Sequence, residues 1–156
     1  MENMRFIVTK EMGKLAKWLR ILGYDSVYYD KSDTPGLIIR ALREERILLT
    51  RSDGLTKYKG IKLVVIKHDH VEDQLDQTVE ELGFQVEEKH VFTRCIECNA
   101  PLNGISKAKI EGKVPEYVLK TQEIFKICPE CNKIFWKGTH WDMVKGWLEG
   151  RERGKG

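Results

Sequence analysis

The sequence lacks any long apolar run. No stretch approaches the roughly 18 consecutive apolar residues of a membrane span, and residues 1–20 lack the basic, apolar and small-residue progression of a secretory signal. Internal repeats and low-complexity tracts are also absent. We therefore expect a cytoplasmic protein without a membrane partner. Its 156 residues suffice for one ordinary domain, or for a domain of about 90 residues with a small appendage.

A large excess of charge of one sign is lacking too. The chain carries 27 Lys and Arg residues against 24 Asp and Glu residues, a net charge of +3. The distribution is uneven, because residues 1–89 hold 15 basic and 16 acidic residues and residues 90–156 hold the remaining 12 and 8. The mild total says little about partners, but the basic surplus lies in the C-terminal part.

Cysteine is scarce, and all four cysteines lie in one segment of the chain. They form two Cys-x-x-Cys pairs with 29 residues between them: Cys95 with Cys98, and Cys128 with Cys131. Two disulfides or a redox pair are alternatives, but two matched pairs without a secretory signal are typical of four thiolates around one tetrahedral zinc ion. A full shell of four sulfurs indicates a structural zinc. Its binding free energy would substitute for the hydrophobic core that so small a segment lacks.

Apolar periodicity predicts alternating strands and helices in the first part of the chain. We predict strands at 5–9, 26–30, 47–50 and 62–66, with helices between Thr9 and Gly23, from Thr34, and at 71–82. This alternation indicates the α/β class, with a mostly parallel sheet covered by helices on both faces. We place this domain at 1–89, a zinc ribbon with a short C-terminal helix at 90–150, and a flexible polar tail at 151–156.

The first predicted helix is amphipathic. Its apolar face carries leucines at helical spacing, and its opposite face carries three lysines with a tryptophan beside them: Lys10, Lys14, Lys17 and Trp18. A solvated face and a face that contacts phosphates remain equally open interpretations of this pattern.

Several predicted strands are followed by polar side chains. Ligands of open α/β sheets bind outside the carboxyl ends of the strands, and here that rule collects Thr9, Asp30, Asp33, residues 51–53 and the His68-Asp69 pair. Convergent carboxylates would hold Mg²⁺ or Mn²⁺ for phosphodiester cleavage. Each acid also has a structural alternative, since Asp33 is placed to cap a helix, Asp53 lies in a turn and Asp69 precedes a helix.

Basic and aromatic residues surround the second cysteine pair: Lys126, Lys133, Phe135, Trp136, Lys137, His140 and Trp141. Interleaved cations and rings suit base stacking and phosphate contact. Packing of the aromatic rings against the first domain is the alternative.

Several motifs together resemble the mut-seven C-terminal RNase domain family. They are GKLAKWLRILGYD from Gly13, Asp33, ERILLTRSDGL from Glu45, VFTRC with the first cysteine pair, and ICPECNKIFWKGTH from Ile127. The resemblance implies a PIN-like nuclease domain joined to a zinc ribbon, with metal-dependent endoribonuclease chemistry on Mg²⁺ or Mn²⁺. Members usually show Asp at the end of the first strand and Asp directly after Thr-Arg, where this chain has Thr9 and Ser52.

Two functions of different classes follow from the resemblance. The first is an RNA-binding protein, on ribosomal RNA, another structured RNA or a ribonucleoprotein, whose nuclease site is degraded at Thr9 and Ser52. Its candidate contacts are Lys10, Lys14, Lys17, Trp18, Arg20, Arg51, Lys137 and His140. The alternative is an active Mg²⁺- or Mn²⁺-dependent endoribonuclease that uses Asp33, Asp53 and Asp69. A protein-interaction module is a third hypothesis.

Overall fold

The computed structural model describes residues 4–154, without the side chains of residues 139, 140 and 152–154. The predicted contact of His140 therefore lies outside the described side chains. In the described range, helices and strands alternate through the first half of the chain and a small antiparallel sheet follows.

Four parallel strands form the main sheet. They are β1 (Arg5–Thr9), β2 (Asp25–Tyr29), β3 (Ile47–Thr50) and β4 (Leu63–Val65), in the spatial order β2-β1-β3-β4. In register, Thr9 lies beside Tyr29, and Val8 lies between Tyr28 and Leu49. The predicted α/β class with a parallel sheet is confirmed.

Helices cover both faces of this sheet. They are α1 (Gly13–Ile21), α2 (Thr34–Arg43) and α3 (Val71–Leu82), and a 3₁₀ turn, Lys10–Met12, precedes α1. Successive strand residues point to opposite faces, so that Phe6 and Val8 pack on the α1 and α3 side while Ile7 packs on the α2 side. The helices therefore exclude water from both faces of the sheet, which explains why the strand sequences are almost continuously apolar.

The end of α1 depends on a glycine. Gly23 has φ of 97°, and the amide of Tyr24 donates to the carbonyl of Leu19 at 2.9 Å, which closes the helix. A Cβ at position 23 would overlap the carbonyl of His90, because the chain passes directly over the turn. The helix end thus also fixes where the second half of the chain begins to pack.

The second half contains a three-stranded antiparallel sheet with two short helices inserted. Its strands are β5 (Asn103–Ile105), β6 (Phe125–Ile127) and β7 (Ile134–Phe135), and the insertion holds α4 (Lys107–Ile110) and α5 (Glu116–Thr121). Ile110, Val118 and Phe125 form a small core of their own. The expectation that this segment lacks a hydrophobic core is therefore wrong.

A long helix, α6 (Thr139–Gly154), ends the described chain. It buries Val144 and Trp147 in the main core, together with Cys95 and Phe135 from the ribbon. The main core is thus built from both halves of the chain. Residues 151–154, which we predicted as tail, form the last turn of α6, and the guanidinium of Arg151 donates to the Asp76 carboxylate of α3 at 2.7 Å.

Candidate functional site

A crevice of about 240 Å³ lies at the carboxyl edge of the parallel sheet, beyond the ends of β1 and β3. Strand order reverses here, because the chain leaves β1 toward β2 on one side and returns to β3 on the other. This is the switch point at which open α/β sheets bind ligands. We call it the strand-end crevice, and its lining is Thr9, Lys10, Glu11, Lys31, Ser32, Asp33, Thr34, Leu37, Thr50, Ser52 and Leu55.

Five of the eleven residues that line the strand-end crevice carry hydroxyl groups. Thr9 is buried, and its Oγ1 donates to Oε1 of Glu11 at 2.6 Å. Thr50 is also buried, and its Oγ1 accepts from the amide of Ser52 at 3.1 Å. The two places where the resemblance implies aspartates, Thr9 and Ser52, therefore both face this crevice with neutral hydroxyls.

The three predicted catalytic acids do not converge. Asp33 lines the crevice and accepts from the amide of Gly36 at 3.2 Å, as the N-terminal cap of α2. Asp69 forms an ion pair with Arg51 at 2.8 Å. Asp53 is exposed and is not part of the crevice lining, although the 3₁₀ turn that it begins contributes Leu55 to that lining. Among the described residues, the cysteines form the only group of three or more metal-ligating side chains close enough to share an ion.

Glu11 is a crevice residue that the sequence analysis missed. It lies two residues beyond the end of β1, and the 3₁₀ turn Lys10–Met12 folds its carboxylate back to the hydroxyl of Thr9. Glu11 also borders a second groove of about 740 Å³ that runs past Lys14 to Asp69 and the start of α3. The available signal was an acid immediately after a strand end, in a segment we assigned entirely to the helix.

The lysines of the predicted basic stripe are exposed. Lys10 and Lys14 lie near the crevice end of α1, and Nζ of Lys10 donates to Oγ of Ser32 at 2.5 Å. Lys17 lies further along α1 and pairs with Glu97 at 3.7 Å. Lys10 therefore borders the strand-end crevice, Lys14 borders the second groove beside it, and Lys17 faces the ribbon.

Trp18 and Arg20, which we expected at an RNA surface, lie inside the protein. Trp18 is 5% exposed, and its ring meets that of Trp147 edge-on with centroids 6.1 Å apart. Arg20 is 8% exposed and donates to the carbonyls of Ser26 at 2.8 Å and Ile96 at 2.6 Å. Helix α6 and the first cysteine turn cover this face, and both are far away in sequence.

The four cysteines form a candidate metal centre. All four Sγ atoms lie within 4.8 Å of one another, and those of Cys95 and Cys131 are 3.8 Å apart. A tetrahedron of thiolates around zinc, with bonds near 2.3 Å, has edges of about 3.8 Å. Each pair is followed by an asparagine with positive φ, Asn99 and Asn132, which closes the turn around the sulfurs. The residues therefore fit one metal ion such as zinc.

The four cysteines must lose their thiol protons to hold a cation. A hydrogen bond with Cys131, followed by burial, raises the pKa of Cys98 to about 12 when no cation is present. Thiolates this close repel one another, whereas a divalent cation makes four negative sulfurs compatible. The amides of Cys98 and Glu130 donate to the sulfurs of Cys95 and Cys128 at 3.3 and 3.4 Å, as a structural site requires.

The first cysteine turn docks on the opposite edge of the sheet from the crevice. Nδ2 of Asn99 donates to Asp25 at 2.6 Å, and Oδ1 of Asn99 accepts from the amide of Ser26 at 2.9 Å. Arg46 donates to the same Asp25 oxygen at 2.8 Å. Because β2 is five residues long, about 13 Å separate this edge from the strand-end crevice. The candidate metal centre thus lies at the attachment of the ribbon to the sheet, remote from the crevice.

Asp25 is held in its ionised form at this attachment. Burial favours the neutral acid, but hydrogen bonds from Arg46 and Asn99 outweigh it and keep the pKa of Asp25 below its ordinary value. The same partnership raises the pKa of Arg46 despite burial. Asp25 therefore has a structural role.

The aromatic residues beside the second cysteine pair mostly pack inward. Phe135 is buried in the main core, and Trp136 packs on Phe125 with centroids 6.2 Å apart. Nζ of Lys137 lies 4.5 Å above the ring of Trp141, which is half-buried. Of the residues predicted here as RNA contacts, Lys137 is exposed.

The fold and its two sites define the class of the protein. It is a parallel α/β domain with a crevice at its switch point, joined through a shared core to a four-cysteine ribbon that fits a metal ion. A family model described as the Mut7-C RNAse domain matches residues 4–148, and the chain belongs to that family. The family resemblance seen in the sequence is confirmed.

Two further comparisons gave no match, one with curated proteins and one with solved structures. Among the described residues, no helix has the length and apolar character that crossing a membrane requires.

Proposed function

We propose that this chain is an RNA-binding member of the Mut7-C RNAse domain family whose nuclease site is degraded at Thr9 and Ser52. One observation carries the proposal. The lining of the crevice where the family's acids are expected has five hydroxyl side chains, two lysines and two acids, Glu11 and Asp33, and no trio of acids converges there among the described residues. A divalent ion needs several anionic oxygen ligands, so this lining should bind Mg²⁺ or Mn²⁺ weakly.

The proposed RNA surface begins at the crevice and follows exposed cations. Lys10, Lys14 and Lys31 lie at or near its mouth, and Arg51 lies on the same edge in an ion pair with Asp69. Lys17 and Lys137 extend the basic surface toward the ribbon. Phosphate contacts of this kind give affinity without reading sequence, which suits ribosomal RNA or another structured RNA, free or within a ribonucleoprotein.

A working endoribonuclease is the second candidate, and one observation favours it. Glu11 and Asp33 both line the strand-end crevice, so two carboxylates remain in place. Asp53 would have to enter the crevice by rearrangement of its exposed turn, and Asp69 would have to leave Arg51. We rank the endoribonuclease second because it requires both of these rearrangements.

A cleavage assay separates the two candidates. Zinc-loaded protein is incubated with labelled structured and single-stranded RNA, without added divalent cation, with Mg²⁺, and with Mn²⁺. We expect the RNA to be bound and to stay intact in all three conditions. The matched variants are Asp33→Asn inside the crevice and Asp30→Asn, an exposed acid outside its lining. Metal-dependent cleavage that disappears in Asp33→Asn and persists in Asp30→Asn would establish the enzyme instead.

A further inference from the structure

The strand-end crevice contains hydrogen-bond donors that the protein itself does not use. The side chains of Lys31, Thr34 and Ser52 line it, and none of them has a hydrogen-bond or ion-pair partner among the side chains and backbone that the structure describes. Lys10 adds a fourth donor, since its ammonium reaches over the mouth to Ser32 and has further protons to give. Each of these four groups can therefore donate a hydrogen bond to a ligand.

The two acids of the crevice each accept a hydrogen bond from the protein itself through one carboxylate oxygen. Glu11 accepts from the hydroxyl of Thr9, and Asp33 accepts from the amide of Gly36. Two lysines, Lys10 and Lys31, balance these two carboxylates, so the formal charge of the lining is zero. A site for a divalent cation concentrates negative charge, whereas a site for an anion offers ammonium and hydroxyl donors. The lining shows no excess of negative charge, and its unpartnered side chains, those of Lys31, Thr34 and Ser52, are of the second type.

The volume of the crevice limits what it holds. About 240 Å³ is less than the roughly 300–1,000 Å³ of pockets that enclose a whole small ligand. The crevice is therefore suited to one phosphate group with part of its sugar, while the rest of a polynucleotide lies along the surface outside.

We infer that the strand-end crevice binds a phosphate group of RNA directly, without a divalent metal ion. The ammonium groups of Lys31 and Lys10 supply charge, and the hydroxyls of Ser52 and Thr34 donate to the phosphate oxygens. The inference rests on the proposed function, since it names how the same edge of the protein holds RNA. It also gives the neutral residue at position 52 a positive role, because an aspartate there would repel the phosphate.

Binding measurements with matched variants test the inference. Fluorescence anisotropy with a labelled oligoribonucleotide, in buffer without added divalent cation, gives the dissociation constants of wild type, Lys31→Ala, Ser52→Ala and Lys62→Ala. Lys62 is the control, since it is an exposed lysine just before β4, at the opposite edge of the sheet. A charge-assisted hydrogen bond is worth enough for about a tenfold effect. We expect Lys31→Ala to weaken binding at least tenfold, Ser52→Ala severalfold, and Lys62→Ala less than twofold.

RNAs with different ends show whether the crevice binds a terminal phosphate or an internal phosphodiester. Strands of one sequence are compared with a 5′-phosphate, with a 5′-hydroxyl, and as a closed circle. Tighter binding of the 5′-phosphorylated strand, lost in Lys31→Ala, identifies a terminal phosphate. Equal binding of all three, weakened alike in Lys31→Ala, identifies an internal phosphodiester. Both results support the crevice, and equal melting temperatures of the variants establish that they fold.

Two results would overturn the inference while leaving RNA binding intact. One is RNA binding that Lys31→Ala and Ser52→Ala weaken no more than Lys62→Ala does, because the phosphate then sits elsewhere. The other is a tenfold or greater gain of wild-type affinity on adding Mn²⁺, because the crevice then works through a metal. Failure of every variant and of wild type to bind RNA would instead remove the proposed function, on which the inference depends.

Discussion

At the scale of single residues, the two edges of the parallel sheet differ in chemistry. Thr9 and Ser52 bring hydroxyls to the crevice, and the remaining acids there hold structural hydrogen bonds. At the opposite edge, Asp25 joins the sheet to the cysteine turn through Asn99 and Arg46. Hydroxyl side chains therefore mark the crevice edge of the sheet, and a charged hydrogen-bond network joins the other edge to the ribbon.

Asp25 gives a prediction about acid stability. Its pKa in the folded protein lies below the ordinary value, so its contribution to the free energy of unfolding is present at neutral pH and is lost as pH falls through the folded-state pKa. We expect Asp25→Asn to cost about 1–3 kcal/mol at pH 7 and to lose less of its remaining stability between pH 5 and 3 than wild type does. Urea unfolding at several pH values measures both effects. A constant difference between the two proteins at all pH values would contradict the assignment.

At the scale of elements, the sequence predicted those whose signals are local. The bounds of β3, Ile47–Thr50, and α3, Val71–Leu82, agree with the prediction, because continuous apolar burial and a glycine stop mark them directly. The 3₁₀ turn that redirects Glu11 was missed, since its residues continue the helical pattern of α1. The surroundings of Trp18 were also missed, because α6 is more than 100 residues away in the chain and no periodicity within α1 reports it.

Helix α6 gives a prediction at this scale. One carboxylate oxygen of Asp76 on α3 accepts two hydrogen bonds, from Nε1 of Trp147 at 2.8 Å and from the guanidinium of Arg151 at 2.7 Å. We expect Asp76→Ala to lower the free energy of unfolding by about 1–2 kcal/mol and to speed amide hydrogen exchange in α6. The control is Asp73→Ala, an exposed acid one turn earlier on α3. If both variants exchange alike in α6, the Asp76 contacts do not hold the helix.

At the scale of the whole molecule, the two halves share one core. The ribbon contributes Cys95, Cys128 and Phe135 to the cluster that contains Leu15 and Leu49. The sequence predicted the metal ligands from their spacing, but it placed a boundary at residue 89 because composition changes there. Packing across that boundary depends on which faces meet in three dimensions, which a one-dimensional pattern does not specify.

Metal removal gives the prediction at this scale. Zinc-site binding free energy becomes folding free energy, at about 10–16 kcal/mol in small domains, and here two of the four cysteines, Cys95 and Cys128, are buried in the shared core. We expect a strong chelator to lower the melting temperature of the entire protein in one cooperative transition and not to melt the ribbon alone. Near-ultraviolet circular dichroism of the tryptophans and hydrogen exchange in β1 and β3 should change together. Protection of β1 and β3 that survives metal loss would show that the first half folds alone.

The central claim is that neutral side chains at positions 9 and 52 have made the strand-end crevice a poor site for divalent ions. Calorimetric titration of Mn²⁺ into zinc-loaded protein tests it most directly. We expect no saturable binding by wild type below about millimolar Mn²⁺, and one saturable site in the double variant Thr9→Asp, Ser52→Asp, because added carboxylates supply the missing ligands. One micromolar Mn²⁺ site in wild type that disappears in Asp33→Asn would contradict the claim.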